Sequence, residues 1–534
     1  MLQEFNFRKF VVCPETLWRD TLLSEKPTPF YNRTTIDNRT NRNITHKLCW
    51  RDTKMAYLGW LIFMLSLLTS KISNVSASEK EEFSEELYLR QTPSGHIYAH
   101  FRFLTLWHTD VRVAGHDQHL NLFPRNLADI LSAYQVQELK LSLTQGLWRY
   151  EKFGYPIEGA PSGSLVTARF LPSLVGDVDT AWSGLTSALA GLLCASLNNL
   201  DKTEAIEPVY SFANQGMAGD GFASNASLLR YGVLPRENVC TENLTPWKKL
   251  LPCKNRRGLS TLLNSAHIQK LSSYLSLGLE VRPVCVDPAD CSLPGLELKL
   301  TFSTLIDPVI LNRKQPDQIN WSLSAMFGIG LTPACPLAAS SSVFIDMTDA
   351  GFDLEPAPHE ILDYGSGLPK RVAIYDVKTF ADTGGVRNIY AVHRAARHIY
   401  GIVPSPPLLV SRHVVGTGQE RGGIVTTIRN SCASPLTAVY LDLVPWYLRL
   451  YLHTLRITVN DGKEEERRVE PLKVVYRPGI DRVKPYHLEM LLRIPPRSTL
   501  TIRLDTEYSV LRWTEYPPDA NHGFYVGAAV LTAR

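Results

Sequence analysis

No excess of one charge, no internal repeat and no apolar run long enough to span a bilayer occur in this chain of 534 residues, and each absence removes a class of protein. The 56 Lys and Arg are met by 52 Asp and Glu, and neither sign is concentrated as a nucleic-acid groove requires, so nucleic acid is excluded as a partner. The most hydrophobic stretch, MAYLGWLIFMLSLL from Met55 to Leu68, has fourteen residues, short of the roughly 20 that a spanning helix needs. Catalytic signatures are missing as well. Gly416-Thr-Gly418-Gln-Glu-Arg-Gly422 has the wrong spacing for a dinucleotide loop, and β-type sequence follows where a helix should begin. Ser162 and Ser366 both sit in near misses of G-x-S-x-G. His393 and His398, five apart, fit no helical zinc pair, and Asp346, Asp349 and Asp353 lack the calcium-loop pattern. No metal or cofactor is expected.

What is present points to a mainly β protein with some helices, an α+β fold. With 44% hydrophobic residues the chain can fill two or three cores, and 34 Pro and 33 Gly spread along its length suit many short strands joined by turns. Met55–Leu68, with Val75-Ser76-Ala77 after it, reads as a signal peptide over 55–77, cleaved after Ala77. Residues 1–54 carry three sequons (Asn32, Asn38, Asn43) ahead of that signal. They are read either as an over-extended start or as a disordered leader, outside the fold in both cases. Two lumenal domains are expected, 78–295 of α+β type and 296–534 rich in β-sandwich.

The turn at Pro93-Ser94-Gly95 inside YLRQTPSGHIYAHFRFLTLW predicts a hairpin. A short helix is expected over Pro124–Gln135, followed by the strand ELKLSLTQG. Val281–Val309 and Ser341–Ile345 read as strands, and GGIVTTIRN, LTAVYLDLVPWYLRLYLHTLRITV, HLEMLLRIPP and STLTIRLDTEY as an antiparallel sandwich. Asn225 and Asn320 are expected glycan sites; Asn243 is a poorer one because Pro246 follows.

Of nine cysteines, Cys13 and Cys49 fall in the leader and seven remain, an odd number that hints at a bond to another chain. Cys240 with Cys253, and Cys285 with Cys291, are spaced to close short loops, although spacing alone does not settle connectivity. Cys194 has no close neighbour. Trp182, Leu185, Leu189, Leu192 and Leu193 form one helical stripe, and continuing the helix places Cys194 roughly 150° from its centre. It shares that side with Thr180, Ser183, Ser187, Ala190 and Gly191, all small enough for another chain to come within disulfide reach. The same small residues would also suit a covering layer of this chain.

Six strings, GHIYAHFRFLTLW, LSLTQGLWRY, GLLCASLN, LPRENVCTENLTPWKKLLPC, LDLVPWYLRLYLHTL and WTEYPPDANHGFYV, occur in the order found in the PIG-T family of GPI transamidase subunits, which the chain resembles over residues 85–527. The resemblance implies a non-catalytic lumenal scaffold of β-sandwich layers in an ER-membrane complex that attaches GPI anchors to precursor proteins. Its partners would be the caspase-like catalytic subunit PIG-K, bonded covalently at Cys194, the other subunits, and through them the GPI lipid. Members of the family continue past NHGFYV to a transmembrane helix, so this chain is expected to be truncated at Arg534. The competing readings are a free-standing secreted hydrolase using Ser162 or Ser366, and a glycoprotein binding carbohydrate or lipid through Trp446, Tyr447, Trp513 and Tyr516.

Overall fold

The computed structural model describes residues 8–10 and 81–533 apart from short internal segments, the longest being 109–120, 213–225, 286–293 and 312–318. The expected signal peptide, Cys291, Asn225, Ser366, His398 and Asp349 lie outside the described residues. The described part is mainly β with few helices. Among the described residues no helix is long and apolar enough to cross a membrane.

Alternation of apolar and polar residues builds a ten-stranded sheet. Its hydrogen-bonded order is Glu360–Tyr364, Lys370–Asp376, Ser340–Asp346, Glu81–Gln91, Ile97–Trp107, Pro294–Ile306, Ser272–Cys285, Val136–Gln145, Gly163–Phe170 and Leu229–Leu234. Glu81–Gln91 and Ile97–Trp107 form the hairpin read from the Pro93 turn, where Gly95 takes φ 84° and donates its N–H to the Thr92 carbonyl.

Register sorts the two faces. Phe103, Leu300, Leu279 and Leu141 lie opposite one another across four strands and belong to the main core with Trp182, Leu185, Leu189 and Leu193 of the helix Val178–Leu193. One position along, on the other face, Lys299, Glu280 and Lys140 form a row of alternating sign, with Lys299 Nζ 3.0 Å and Lys140 Nζ 3.2 Å from Glu280. Glu158 closes the row at 2.7 Å from Lys299. Burial works against ionisation of Glu280, but Lys140 and Lys299 outweigh it and hold its carboxyl at about 2. Nearby His100 is enclosed, and that burial lowers its imidazole to about 4.

A sandwich follows. One sheet holds Leu408–Val415, Arg421–Asn430, Ser498–Tyr508, Arg456–Asn460 and Arg467–Arg468; the other holds Arg8–Phe10, Val530–Ala533, Leu436–Val444, Tyr486–Ile494 and Lys473–Arg477. Leu436–Val444 is buried on both faces, which is why it reads as a nearly unbroken apolar run. Ala438 and Tyr440 share one core with Ile428 and Ile502, whereas Leu441 and Leu443 share another with Leu165, Tyr231 and Val233. Arg412 and Asp442 join the two sheets through the core: Nη2 to Oδ1 is 2.9 Å, Nε to Oδ2 3.1 Å, with Tyr440 donating to Oδ2 at 2.7 Å and Gly527 O taking Arg412 Nη1 at 3.2 Å.

The structure corrects three expectations. A domain boundary at 295 fails because Ser272–Cys285 and Pro294–Ile306 are adjacent strands of one sheet, which continues to Asp376. The run LTAVYLDLVPWYLRLYLHTLRITV is broken at Pro445, which has no N–H for a ladder, and its pieces enter different sheets. Residues 8–10, placed outside the fold by the sequence reading, pair in parallel with Val530, Leu531 and Thr532.

Candidate functional site

Among the described cysteines, Cys194 is a free exposed thiol and Cys240 a free half-buried one. The expected Cys240–Cys253 loop does not form. Cys253 bonds Cys335 across a sequence separation of 82, while Cys285 and Cys432 are also disulfide-bonded. Proximity in sequence is a poor guide here because Cys335 is carried to Cys253 by the packing of the core in which both take part.

The helix that brings Cys194 to the surface starts at Val178, behind Asp177, and ends at Leu193. Trp182, Leu185, Leu189 and Leu193 are fully buried, and Trp182 Nε1 donates to Leu200 O at 2.7 Å. The opposite side is open: Thr180, Ser187 and Gly191 are exposed, and a Cβ added at Gly191 would meet nothing within 4 Å.

Cys194 itself is not on the flank of the helix. It is the terminating residue, in the left-handed conformation at φ 51°, ψ 46°, a position glycine usually takes and at which a side chain costs on the order of 1 kcal/mol. The N–H groups of Cys194 and Ala195 both turn back to Ala190 O.

What holds the turn is remote in sequence. Asn243 Nδ2 donates to Leu193 O at 3.1 Å and to Cys194 O at 2.7 Å. Its Oδ1 accepts the Cys240 N–H at 3.0 Å and the Cys240 thiol at 3.3 Å. Cys240 caps the helix Thr241–Lys248, so one buried amide, 1% exposed, ties the end of one helix to the start of another and uses both its donors. On the far side of the turn Glu237 Oε1 accepts the Ser196 N–H at 2.9 Å.

Asn243 is the residue the sequence reading missed. Its sequon reads as a weak glycan acceptor, yet its nitrogen is enclosed and donates to two carbonyls. The available signal was its place three residues after Cys240 at a helix start, the position from which a side chain reaches back to the capping residue. Asn243→Ala is expected to lower unfolding free energy by about 1–3 kcal/mol, because the carbonyls of Leu193 and Cys194 lose their donor. Thr245→Ala, which abolishes the sequon but spares the amide, should leave electrophoretic mobility unchanged before and after deglycosylation; a faster band would show that Asn243 carries sugar.

Other candidates have structural employment. Asn320 is exposed, with Oδ1 accepting from His393 N at 2.8 Å. His393 Nε2 meets Gln91 Oε1 at 2.9 Å. Asp346 accepts from Tyr88 and Thr348, and Asp353 pairs with Arg394. Among the described residues no three His, Cys, Asp or Glu side chains gather as a metal site. Ser162 is half-buried in a bend before the strand Gly163–Phe170, not at a strand-to-helix elbow.

The class defined by fold and site is a layered β protein presenting a braced thiol at a helix end. A family model described as "Gpi16 subunit, GPI transamidase component" matches residues 65–534. The chain is 40% identical over 482 residues to the mouse GPI-anchor transamidase component PIGT, a match covering 88% of this chain and 80% of the mouse protein. It is 41% identical over 464 residues to the human PIGT component, covering 85% and 77%, and 26% identical over 503 residues to the GPI transamidase component GPI16 of Saccharomyces cerevisiae, covering 84% and 79%. The chain belongs to the Gpi16 family of GPI transamidase components.

Proposed function

We propose that this chain is a non-catalytic scaffold on the lumenal side of the ER membrane, joined at Cys194 by an intermolecular disulfide to the caspase-like catalytic subunit PIG-K. The observation that carries the reading is an exposed thiol held in a backbone conformation costly for cysteine and braced on both sides, by Asn243 and by Glu237. The small, open side of the helix leaves room for a second chain to approach Cys194 within the 4.4–6.8 Å or so between Cα atoms that a disulfide requires.

Covalent attachment converts encounter with the catalytic subunit into an intramolecular event, so that subunit stays beside GPI lipid and precursor protein at high effective concentration. The scaffold supplies position, and the bond chemistry belongs to its partner. On non-reducing gels of membranes, Cys194→Ser is expected to abolish the reductant-sensitive heterodimer band, whereas Cys240→Ser keeps it. Persistence of the band in Cys194→Ser would move the tether elsewhere.

A further inference from the structure

We propose that the knob formed by the turns 477–484 and 509–516 seats in the headgroup region of a phospholipid bilayer. Four side chains of these turns project apolar surface into solvent: Ile480 is 54% exposed, Val483 47%, Val510 89% and Trp513 86%. Four large apolar side chains exposed on two turns that Arg482 ties together mark an interaction site. Their outward aim is built in. Arg482, at φ 63°, lays its guanidinium 4.8 Å from the Trp446 ring centroid, pairs with Glu515 and donates to Val510 O at 3.3 Å. Glu515 also accepts the Arg512 N–H at 2.7 Å. The polar groups thus fasten the two turns to each other and leave the aliphatic and indole tips outside.

Charge selects the occupant. Arg477 is paired with Glu207, Arg482 with Glu515 and Asp481 with Arg449, so Lys484 and Arg512 supply a surplus of two positive charges on the two turns. Aliphatic tips with an exposed indole and a cationic rim match the layered chemistry of a lipid interface, where the ring sits at headgroup level and the cations meet headgroup phosphate. A standard protein interface engages roughly 20–30 residues a side, far more than this knob offers. Seating of the knob does not depend on the bond at Cys194.

The test places photoreactive benzoylphenylalanine at Trp513, at Val510, or, as a control of similar exposure elsewhere, at Val309, in the full chain within its native membranes. After irradiation, mass spectrometry of the labelled peptides is expected to find phospholipid adducts at 513 and 510 several-fold above 309. Adducts to a polypeptide at 513 or 510, or lipid adducts no greater than at 309, overturn the proposal. Should the chain altered at 513 fail to accumulate, position 510 decides alone.

Discussion

Replacing Asp442 by alanine is expected to lower the unfolding free energy by about 3–5 kcal/mol, measured by the denaturant midpoint of the purified chain. Arg412 is 1% exposed, and Asp442 is the carboxylate that meets its fork; without it an enclosed guanidinium loses its counter-charge and two charge-assisted bonds. Tyr440, which lies between Thr426 and Asp442, loses the carboxylate it donates to as well. The charge, not the missing volume, is what should hurt. Arg412→Met combined with Asp442→Leu is therefore expected to recover most of the loss, since the interior then holds no ion to desolvate. If Asp442→Ala shifts stability by under about 1 kcal/mol, water reaches Arg412 and the pair is less enclosed than its geometry indicates.

The second large effect concerns the cross-link. Cys253→Ala with Cys335→Ala is expected to cost about 4–5 kcal/mol, because a bond across 82 residues restricts the unfolded chain strongly. Cys335 is fully buried, and Cys253 follows the helix that carries Asn243, so the cross-link also steadies the brace behind Cys194. Reductant should lower the midpoint of the wild type at least as far as that of the double variant, since it also opens the bonds at Cys285 and Cys432. Equal midpoints for oxidised wild type and variant would assign the stability of this region to packing alone.

The sequence made much of the fold readable where a residue's surroundings are local. Alternation revealed the sandwich strands, the Pro93-Ser94-Gly95 turn revealed its hairpin, and Pro124 marked the helix Arg125–Ala133, whose capping position it occupies. Pairings between distant segments were hidden. Ser340–Asp346 lies parallel to Glu81–Gln91, and no local pattern could announce a partner more than 200 residues away. The same limit explains the site. A helix ending in cysteine carries no stop signal of its own, so periodicity ran on through Cys194 and placed the thiol on a flank. The stop is supplied by Asn243, 49 residues downstream, and the pairing of Cys253 depends on a strand-rich core that spacing arguments do not see.

The clasp at Asn243 also sets up a contest in time. On the lumenal side proposed above, Asn243-Leu244-Thr245 of the nascent chain would be an acceptor for oligosaccharide, while in the folded protein its nitrogen is locked to two carbonyls. A sugar added first would leave no space for the clasp, and the affected molecule could not bring the two helix ends together. Maturation therefore becomes a race between collapse and modification, and Pro246, by making the acceptor poor, tilts it toward collapse.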